Sequence, residues 1–204
     1  MTFDRAAAET KLSEFDFILV GDASGSMGEE DMPGKRSRWA SMQESMMSFA
    51  RDIGKIDSDG VGLILFGGSN ITVLDGCDAD KIKGQFDARA PRGGTPLTEA
   101  LEQAFKLAGK SAKKDFIIVF TDGVPDDPVS VAKVIRDQAN KQEKDEDLTI
   151  LFIQVGYNSE ATAYLASLDD GLKGAKFDIV DAKTMAEAEK FASTAELIMA
   201  AIAG

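Results

Sequence analysis

Residues 15–27 read FDFILVGDASGSM, and this stretch decides the fold. It begins as an apolar run that ends at Gly21, a pattern typical of a buried strand followed by a turn. Asp22, Ser24 and Ser26 then follow at alternate positions. Because ligands of open α/β sheets bind beyond the carboxyl ends of strands, these side chains are expected to form a site. One carboxylate and two hydroxyls suit a hard cation such as Mg2+.

Apolar runs and helical patterns alternate along the rest of the chain, which predicts an α/β fold. The predicted strands cover residues 15–20, 61–66, 71–74, 115–120, 148–155 and 177–180. The short connection at 67–70 predicts a hairpin and therefore one antiparallel edge strand. Residues 10–14 are expected to be a lead-in, and residues 184–202 a closing helix. The whole pattern predicts a doubly wound, mostly parallel six-stranded sheet with helices on both faces.

Composition excludes several classes of function. Lys and Arg number 23 against 35 Asp and Glu, a net charge of −12 that disfavours nucleic acid as a partner. The sequence contains no histidine, which removes Ser-His-Asp catalysis and most zinc sites. Its single cysteine, Cys77, precludes an internal disulfide.

The chain is also expected to be cytoplasmic and to have no contact with membranes. Its N-terminus is polar and acidic, unlike a signal peptide. No apolar run approaches the roughly 20 residues that span a bilayer. With 204 residues and no linker or internal repeat, residues 1–204 are expected to form one domain with its core at about 15–202.

Two further polar motifs are expected at the same sheet edge as residues 22–26. Thr95 lies in Gly-Gly-Thr-Pro-Leu at the start of a predicted helix, and Asp122 lies in Phe-Thr-Asp-Gly after the fourth strand. If the first and fourth strands are neighbours across a topological switch, Asp22 and Asp122 face one crevice. An aspartate at a strand end often only caps a helix or a turn, so each motif alone is a weak signal. The three motifs together are much more specific.

These motifs resemble those of the von Willebrand factor type A (VWA) family, also called integrin I-domain-like. Asp-x-Ser-x-Ser at residues 22–26, the threonine and the second aspartate match a complete metal-ion-dependent adhesion site (MIDAS). The resemblance extends over about residues 15–202 and implies a Rossmann-like VWA fold. It implies a Mg2+ site, with Mn2+ or Ca2+ also accommodated in vitro, whose ligands are Asp22, Ser24, Ser26, Thr95 and Asp122.

The resemblance also implies how each ligand acts. Ser24 and Ser26 would bind the ion directly, Thr95 would bind directly or through water depending on state, and the two aspartates would act mainly through water. An ion held by neutral hydroxyls keeps strong residual charge, so it favours an anionic oxygen from outside. The expected external ligand is a Glu or Asp carboxylate of a partner protein.

The function expected from this resemblance is a metal-dependent protein-interaction module, not an enzyme. Stand-alone cytoplasmic VWA proteins of bacterial type are similar in size and composition. Relatives include partners of MoxR-type AAA+ ATPases and components of tellurite-resistance or stress-response systems, and the residues do not choose between these settings. Substitution of Asp22 or Ser24 is expected to abolish metal binding and leave the fold intact, because the site is expected to lie on loops.

An enzymatic alternative is Mg2+-dependent phosphoryl transfer with Asp22 as the nucleophile. Phosphatases of the haloacid dehalogenase type need a second aspartate two residues later, where this chain has Ser24. Without that residue or a histidine, proton transfer lacks an obvious agent. A third alternative is a regulatory Ca2+-binding protein, but the sequence contains no EF-hand loop with the required acidic spacing.

Three departures from the family pattern stay open at this stage. Gly21 stands where many relatives have an aliphatic residue, and it is expected to relax the strand end. Residues 29–38 form a polar loop that either rims the site and selects partners or is a solvated surface loop. Asp126 and Asp127 either bind a second ion or cap the helix that begins at Pro128.

Overall fold

A computed structural model describes residues 3–169 and 172–204 and contains a six-stranded sheet in the order β3-β2-β1-β4-β5-β6. The strands are β1 (Phe15–Asp22), β2 (Val61–Gly67), β3 (Asn70–Cys77), β4 (Lys114–Thr121), β5 (Leu148–Gln154) and β6 (Val180–Thr184). The β2–β3 pair is antiparallel and every other pair is parallel. The predicted architecture is therefore confirmed, including the antiparallel edge strand.

Helices cover both faces of this sheet. They are α1 (Arg5–Leu12), α2 (Arg38–Ile53), α3 (Ala79–Asp87), α4 (Leu97–Leu107), α5 (Pro128–Ala139), α6 (Ser159–Asp169), α7 (Met185–Ala188) and α8 (Thr194–Ile202). Side chains alternate along β1, so Phe17 and Leu19 pack with α1, α2, α3 and α8, whereas Ile18 and Val20 pack with α4, α5 and α6. Within the described residues, no helix combines the length and apolar character needed to cross a bilayer.

The N-terminal lead-in differs from the prediction. Instead of a lead-in at 10–14, α1 begins at Arg5, where Asp4 caps it by accepting a 3.2 Å hydrogen bond from the N–H of Ala7. Ala8 and Leu12 of this helix are buried, so it belongs to the core.

The C-terminal elements also differ from the prediction. The last strand is β6 rather than residues 177–180, because its sequence VDAKT carries few of the apolar residues that mark a strand. The predicted closing helix is two helices. Thr184 caps α7 in a reciprocal arrangement with Glu187, and Ser193 caps α8. Each cap starts a new helix, so residues 184–202 do not form one continuous helix.

Gly21 does not relax the end of β1. The strand stays in regular register through Gly21 and Asp22, which pair with Leu65 and Phe66 of β2. A Cβ atom at Gly21 would lie 2.8 Å from Cδ2 of Leu65 and 3.1 Å from Cε of Met46. The glycine therefore makes room for α2 to pack closely over the strand that leads into the candidate site.

Candidate metal centre

The carboxyl ends of β1 and β4 lie side by side, which meets the condition under which Asp22 and Asp122 are expected to face one crevice. The two strands pair in parallel up to Gly21 and Phe120. Strands β2 and β3 lie beyond β1 on one side, and β5 and β6 lie beyond β4 on the other, so the boundary between β1 and β4 is a topological switch point. Asp22 ends β1 and Asp122 follows β4, and their exposed fractions are only 0% and 2%. The topology thus brings both predicted carboxylates to one edge of the sheet.

Ser24 and Ser26 lie in the turn that leaves β1. Ser24 precedes a short 3-10 helix, Gly25–Gly28, which carries Ser26. The two hydroxyl oxygens are 3.2 Å apart, and Ser26 donates a 2.9 Å hydrogen bond to Oδ1 of Asp122. Neighbouring ligands of an octahedral Mg2+ ion are about 3 Å apart, since each metal–oxygen bond is about 2.1 Å. The Ser24–Ser26 and Ser26–Asp122 spacings both match the separation of neighbouring ligands on such an ion.

Asp22 is a buried anchor. Its Oδ1 accepts a 2.8 Å hydrogen bond from the N–H of Ser24, and its Oδ2 accepts a 2.7 Å bond from the hydroxyl of Thr121. Burial raises the pKa of Asp22 to about 6, although these hydrogen bonds oppose the increase. Asp22 therefore fixes the turn and joins it to β4.

Thr121 is a site residue that the sequence reasoning missed. Its position immediately before Asp122, at the last residue of a buried strand, is the signal that could have identified it.

Thr95 is held at the same edge by its neighbours' backbone. Gly93 accepts a 3.0 Å hydrogen bond from the N–H of Gly25, and Thr95 accepts one of 3.1 Å from the N–H of Asp126 through its own carbonyl. Gly93 has φ 79°, and a Cβ atom there would lie 2.6 Å from Cα of Gly68, so the close approach requires glycine. Thr95 takes part in this network through its carbonyl oxygen, which also accepts a 2.8 Å hydrogen bond from the N–H of Leu97.

Arg38, the first residue of α2, is a second site residue that the sequence reasoning missed. Its Nη1 donates a 2.8 Å hydrogen bond to Oδ2 of Asp122. Its Nε and Nη2 contact the two carboxylate oxygens of Asp31 at 2.9 and 2.5 Å, and Nη2 also lies 2.7 Å from Glu29. A cation in the first turn of a helix, where the dipole disfavours it, was the available sequence signal.

The polar loop at 29–38 is attached to α2 rather than simply solvated. Glu29 and Asp31 contact the guanidinium of Arg38, which also lowers the pKa of Asp31. The carbonyl of Glu29 accepts a 2.9 Å hydrogen bond from the N–H of Arg38, and Met32 pairs with Arg36 across the loop. The loop therefore lies beside Asp122.

Asp127 is a helix cap, which is one of the two interpretations that the sequence leaves open. It accepts hydrogen bonds from the N–H and the hydroxyl of Ser130 at 3.0 and 2.6 Å, which lower its pKa. The Asp126 carboxylate instead lies against Gly94, where an added Cβ atom would be 2.7 Å from its Oδ2.

The candidate ligands are all oxygen atoms, which is the donor type that Mg2+ prefers. They combine two carboxylates with three hydroxyls and include no histidine or cysteine. Among residues 3–169 and 172–204, no three His, Cys, Asp or Glu side chains form a group that could hold a metal ion. A cation here would depend on serine and threonine hydroxyls, and the spacing of Ser24, Ser26 and Asp122 fits that requirement.

Solved structures similar to this one share its fold. Manganese-loaded TRAP protein from Plasmodium vivax is 19% identical, with a TM-score of 0.59 and coverage of 87% of this chain and 71% of that one. The VWA domain of SpRpn10 is 14% identical, with a TM-score of 0.58 and coverage of 90% and 93%. The vWF domain of the type V pili tip protein Mfa5 from Porphyromonas gingivalis is 16% identical, with a TM-score of 0.55 and coverage of 92% and 96%.

Sequence comparison assigns the family. No curated protein sequence matches the chain. The family model for the von Willebrand factor type A domain matches residues 17–124, which is more than half of the chain and includes all five predicted ligands. The chain therefore belongs to the von Willebrand factor type A domain family.

Proposed function

We propose that residues 15–202 form one VWA domain that binds a partner protein through a divalent cation, with Mg2+ as the cation in the cell. The observation that carries this proposal is the cluster of oxygens in which Ser26 lies 3.2 Å from Ser24 and 2.9 Å from Asp122. The residues proposed to hold the ion are Asp22, Ser24, Ser26, Thr95 and Asp122. When bound, the ion would supply a positive charge that accepts a Glu or Asp carboxylate from the partner.

The chain's own residues prepare this site in distinct ways. Asp22 orients the turn by accepting a hydrogen bond from the N–H of Ser24, and its side chain is buried. It is therefore suited to act on the ion through a bound water molecule rather than by direct coordination. Ser26 is exposed and presents its hydroxyl at the surface. Asp122 supplies a carboxylate whose Oδ2 is already engaged by Arg38. Few full negative charges therefore face the ion, which favours an anionic ligand from outside.

The same contacts argue against Asp22 as a nucleophile for phosphoryl transfer. Both of its carboxylate oxygens accept hydrogen bonds, and its exposed fraction is 0%. A carboxylate nucleophile must approach the phosphorus atom of its substrate, and a separate general acid must protonate the leaving group. Ser24 occupies the position where the phosphatase pattern needs an acid, and the sequence has no histidine. We therefore propose a binding role rather than catalysis.

The solved relatives support an interaction role. They include a manganese-loaded protein and a pilus tip protein, and a pilus adhesin, SpaC from Lactobacillus rhamnosus GG, shares the fold at 18% identity and a TM-score of 0.56. A cytoplasmic, bacterial-type protein acting with an AAA+ ATPase or in a tellurite or stress response remains part of the proposal, on the resemblance alone.

Calorimetric titration with Mg2+ tests the proposal directly. Wild type should bind one ion per chain, and Ser24→Ala should abolish binding because it removes a direct ligand. Partner capture from a lysate should require Mg2+, should be lost in EDTA and should be lost in Ser24→Ala. Unchanged Mg2+ affinity in Ser24→Ala would show that the ligand assignment is wrong. Turnover of a phosphomonoester that requires Asp22 would instead favour the enzyme.

A further inference from the structure

Arg38 lies in a position that its own helix does not favour. It is the first residue of α2, whose first turn contains no acidic residue. The positive end of the helix dipole repels a cation there. Its side chain is nevertheless only 9% exposed. Contacts with other parts of the chain must therefore hold the guanidinium in place.

Three carboxylates surround that guanidinium. Asp31 binds it in a two-point contact, and Glu29 lies 2.7 Å from the same Nη2 atom. The third is Asp122, at 2.8 Å from Nη1 and almost fully buried. One side chain thus joins the 29–38 loop to a predicted metal ligand. Arginine suits this task because its planar fork binds carboxylates at several points.

The backbone after β5 is shaped to admit the guanidinium. Gly156 has φ 81°, and a Cβ atom at this residue would lie 2.6 Å from Nε of Arg38. Any larger residue would push against the guanidinium or displace it. The 29–38 loop, α2 and Gly156 therefore together hold the positive charge of Arg38 in a fixed position beside Asp122.

We infer that Arg38 is a positioning residue that serves as the internal counter-ion of the candidate metal centre, an inference that rests on the proposed function. A buried carboxylate left without a positive partner is strongly unfavourable. Arg38 supplies that partner to Oδ2 of Asp122 and keeps the metal-free site folded. The same charge repels a dication and shares its ligand, so it weakens cation binding. The site should accordingly exchange its ion readily and be occupied according to the available Mg2+.

Arg38→Met tests this inference because it keeps much of the side-chain volume and removes the charge. Calorimetric titration with Mg2+ should give a Kd at least about tenfold lower than that of wild type, because a nearby positive charge is gone. In EDTA, the melting temperature of Arg38→Met should be lower than that of wild type, and saturating Mg2+ should restore most of this difference. An unchanged or higher Kd would overturn the inference. Failure of wild type to bind Mg2+ would instead refute the proposed function.

Two matched variants separate the charge from the loop. Asp31→Asn weakens the two-point contact between the loop and Arg38 but leaves the guanidinium on Asp122, so its Mg2+ affinity should not increase. Arg36→Met removes a nearby arginine that pairs with Glu44 at the surface, and it should also leave the affinity unchanged. If Asp31→Asn increased the affinity as much as Arg38→Met, loop mobility would be the cause and the inference would fail.

Arg38→Lys keeps the inference testable if the methionine variant does not fold without metal. Lysine retains a positive charge that repels a dication in the same way, so its Mg2+ Kd should stay within roughly threefold of the wild-type value. A lysine variant that bound as tightly as Arg38→Met is expected to bind would contradict the counter-ion role. Unfolded Arg38→Met should refold when Mg2+ is added, as circular dichroism would show. Failure to refold at saturating Mg2+ would overturn the inference.

Discussion

The hydroxyl of Thr121 donates a 2.7 Å hydrogen bond to Oδ2 of Asp22, and both residues are fully buried. Thr121 ends β4 and Asp22 ends β1, so this bond joins the two strands at the edge where the candidate site lies. Asp22 is therefore part of the sheet as well as a predicted ligand. The sequence alone predicts a position on a loop, from which Asp22 could be removed with the fold intact.

Asp22→Ala should consequently lower the free energy of unfolding of the metal-free protein. Alanine leaves the N–H of Ser24 and the hydroxyl of Thr121 without the acceptor they have in wild type. Unpaired buried polar groups cost about 1–3 kcal/mol each, although loss of a buried charge offsets part of that amount. Urea unfolding in EDTA measures the net change. Thr121→Val removes only the hydroxyl that donates to Asp22, so it should lower the free energy of unfolding by less than Asp22→Ala does. If Asp22→Ala were as stable as wild type, Asp22 would have no structural role in joining β1 to β4.

Ser26→Ala should separate metal binding from stability. Ser26 is exposed but donates to Oδ1 of the buried Asp122, whose Oδ2 keeps its contact with Arg38, so its loss should lower the free energy of unfolding by only about 1 kcal/mol. Mg2+ binding should be lost or greatly weakened, because a proposed direct ligand is gone. Ser130→Ala is the matched control, since Ser130 also donates from its hydroxyl to an aspartate, Asp127, but at the start of α5. Calorimetry should show wild-type Mg2+ affinity in that control, and equal losses in both variants would refute the assignment.

Much of the fold could be predicted because its strands are continuous apolar runs. Residues such as Phe116 to Phe120 are buried on both faces of the sheet, so burial is visible in composition. The predicted bounds of the edge strand β6 are wrong because only Val180 and Ala182 within it are apolar. The two aspartates could be placed together only on the condition that the first and fourth strands are neighbours, and the strand order of the sheet meets that condition.

Arg38 could not be placed in the same way. Its contacts with Asp31 and Asp122 join residues that lie 7 and 84 positions away. Hydrophobic periodicity reports which face of α2 is buried, but it carries no information on where a long polar side chain at the helix end finds its partners. The interaction depends on how the 29–38 loop folds back, and only the three-dimensional structure shows this.

Gly156→Ala should destabilise the protein for two reasons that a control can separate. Gly156 has φ 81°, which strains alanine, and the added Cβ atom would meet Arg38 at 2.6 Å. Gly34 has a similar φ of 74°, but a Cβ atom added there would meet nothing within 4 Å, so Gly34→Ala reports backbone strain alone. We expect roughly 1 kcal/mol for the control and a larger loss at Gly156. Equal losses by urea unfolding would show that Arg38 is not confined there.

Thr95→Ala should weaken partner binding more than Mg2+ binding. The resemblance makes Thr95 a ligand whose direct contact depends on state, so its loss should matter most when the partner completes the site. Thr98→Ala is a suitable control, because Thr98 lies in α4 and lines a cavity with Lys133 and Gln138 that none of the predicted ligands lines. Mg2+ calorimetry and Mg2+-dependent partner capture measure the two effects. Equal losses in both assays would remove the switching role from Thr95.

Asp115 should make the stability of the protein depend on pH. It is buried at the start of β4, and burial raises its pKa to about 6, against the hydrogen bond it accepts from the N–H of Gly109. The folded state therefore holds the proton more tightly than the unfolded state, whose value is near 3.8, and the ionised carboxylate disfavours folding above about pH 6. Asp115→Asn keeps an acceptor for Gly109, so it should raise the free energy of unfolding by about 1–2 kcal/mol near pH 8. The gain should disappear as the pH falls through 6 towards 4, where both states are increasingly protonated.

Asp127→Asn should instead lower the free energy of unfolding at neutral pH, because Ser130 lowers the pKa of Asp127 and its ionised form stabilises α5. Urea unfolding across this pH range measures both, and a pH-independent effect of Asp115→Asn would show that burial does not raise the pKa of Asp115.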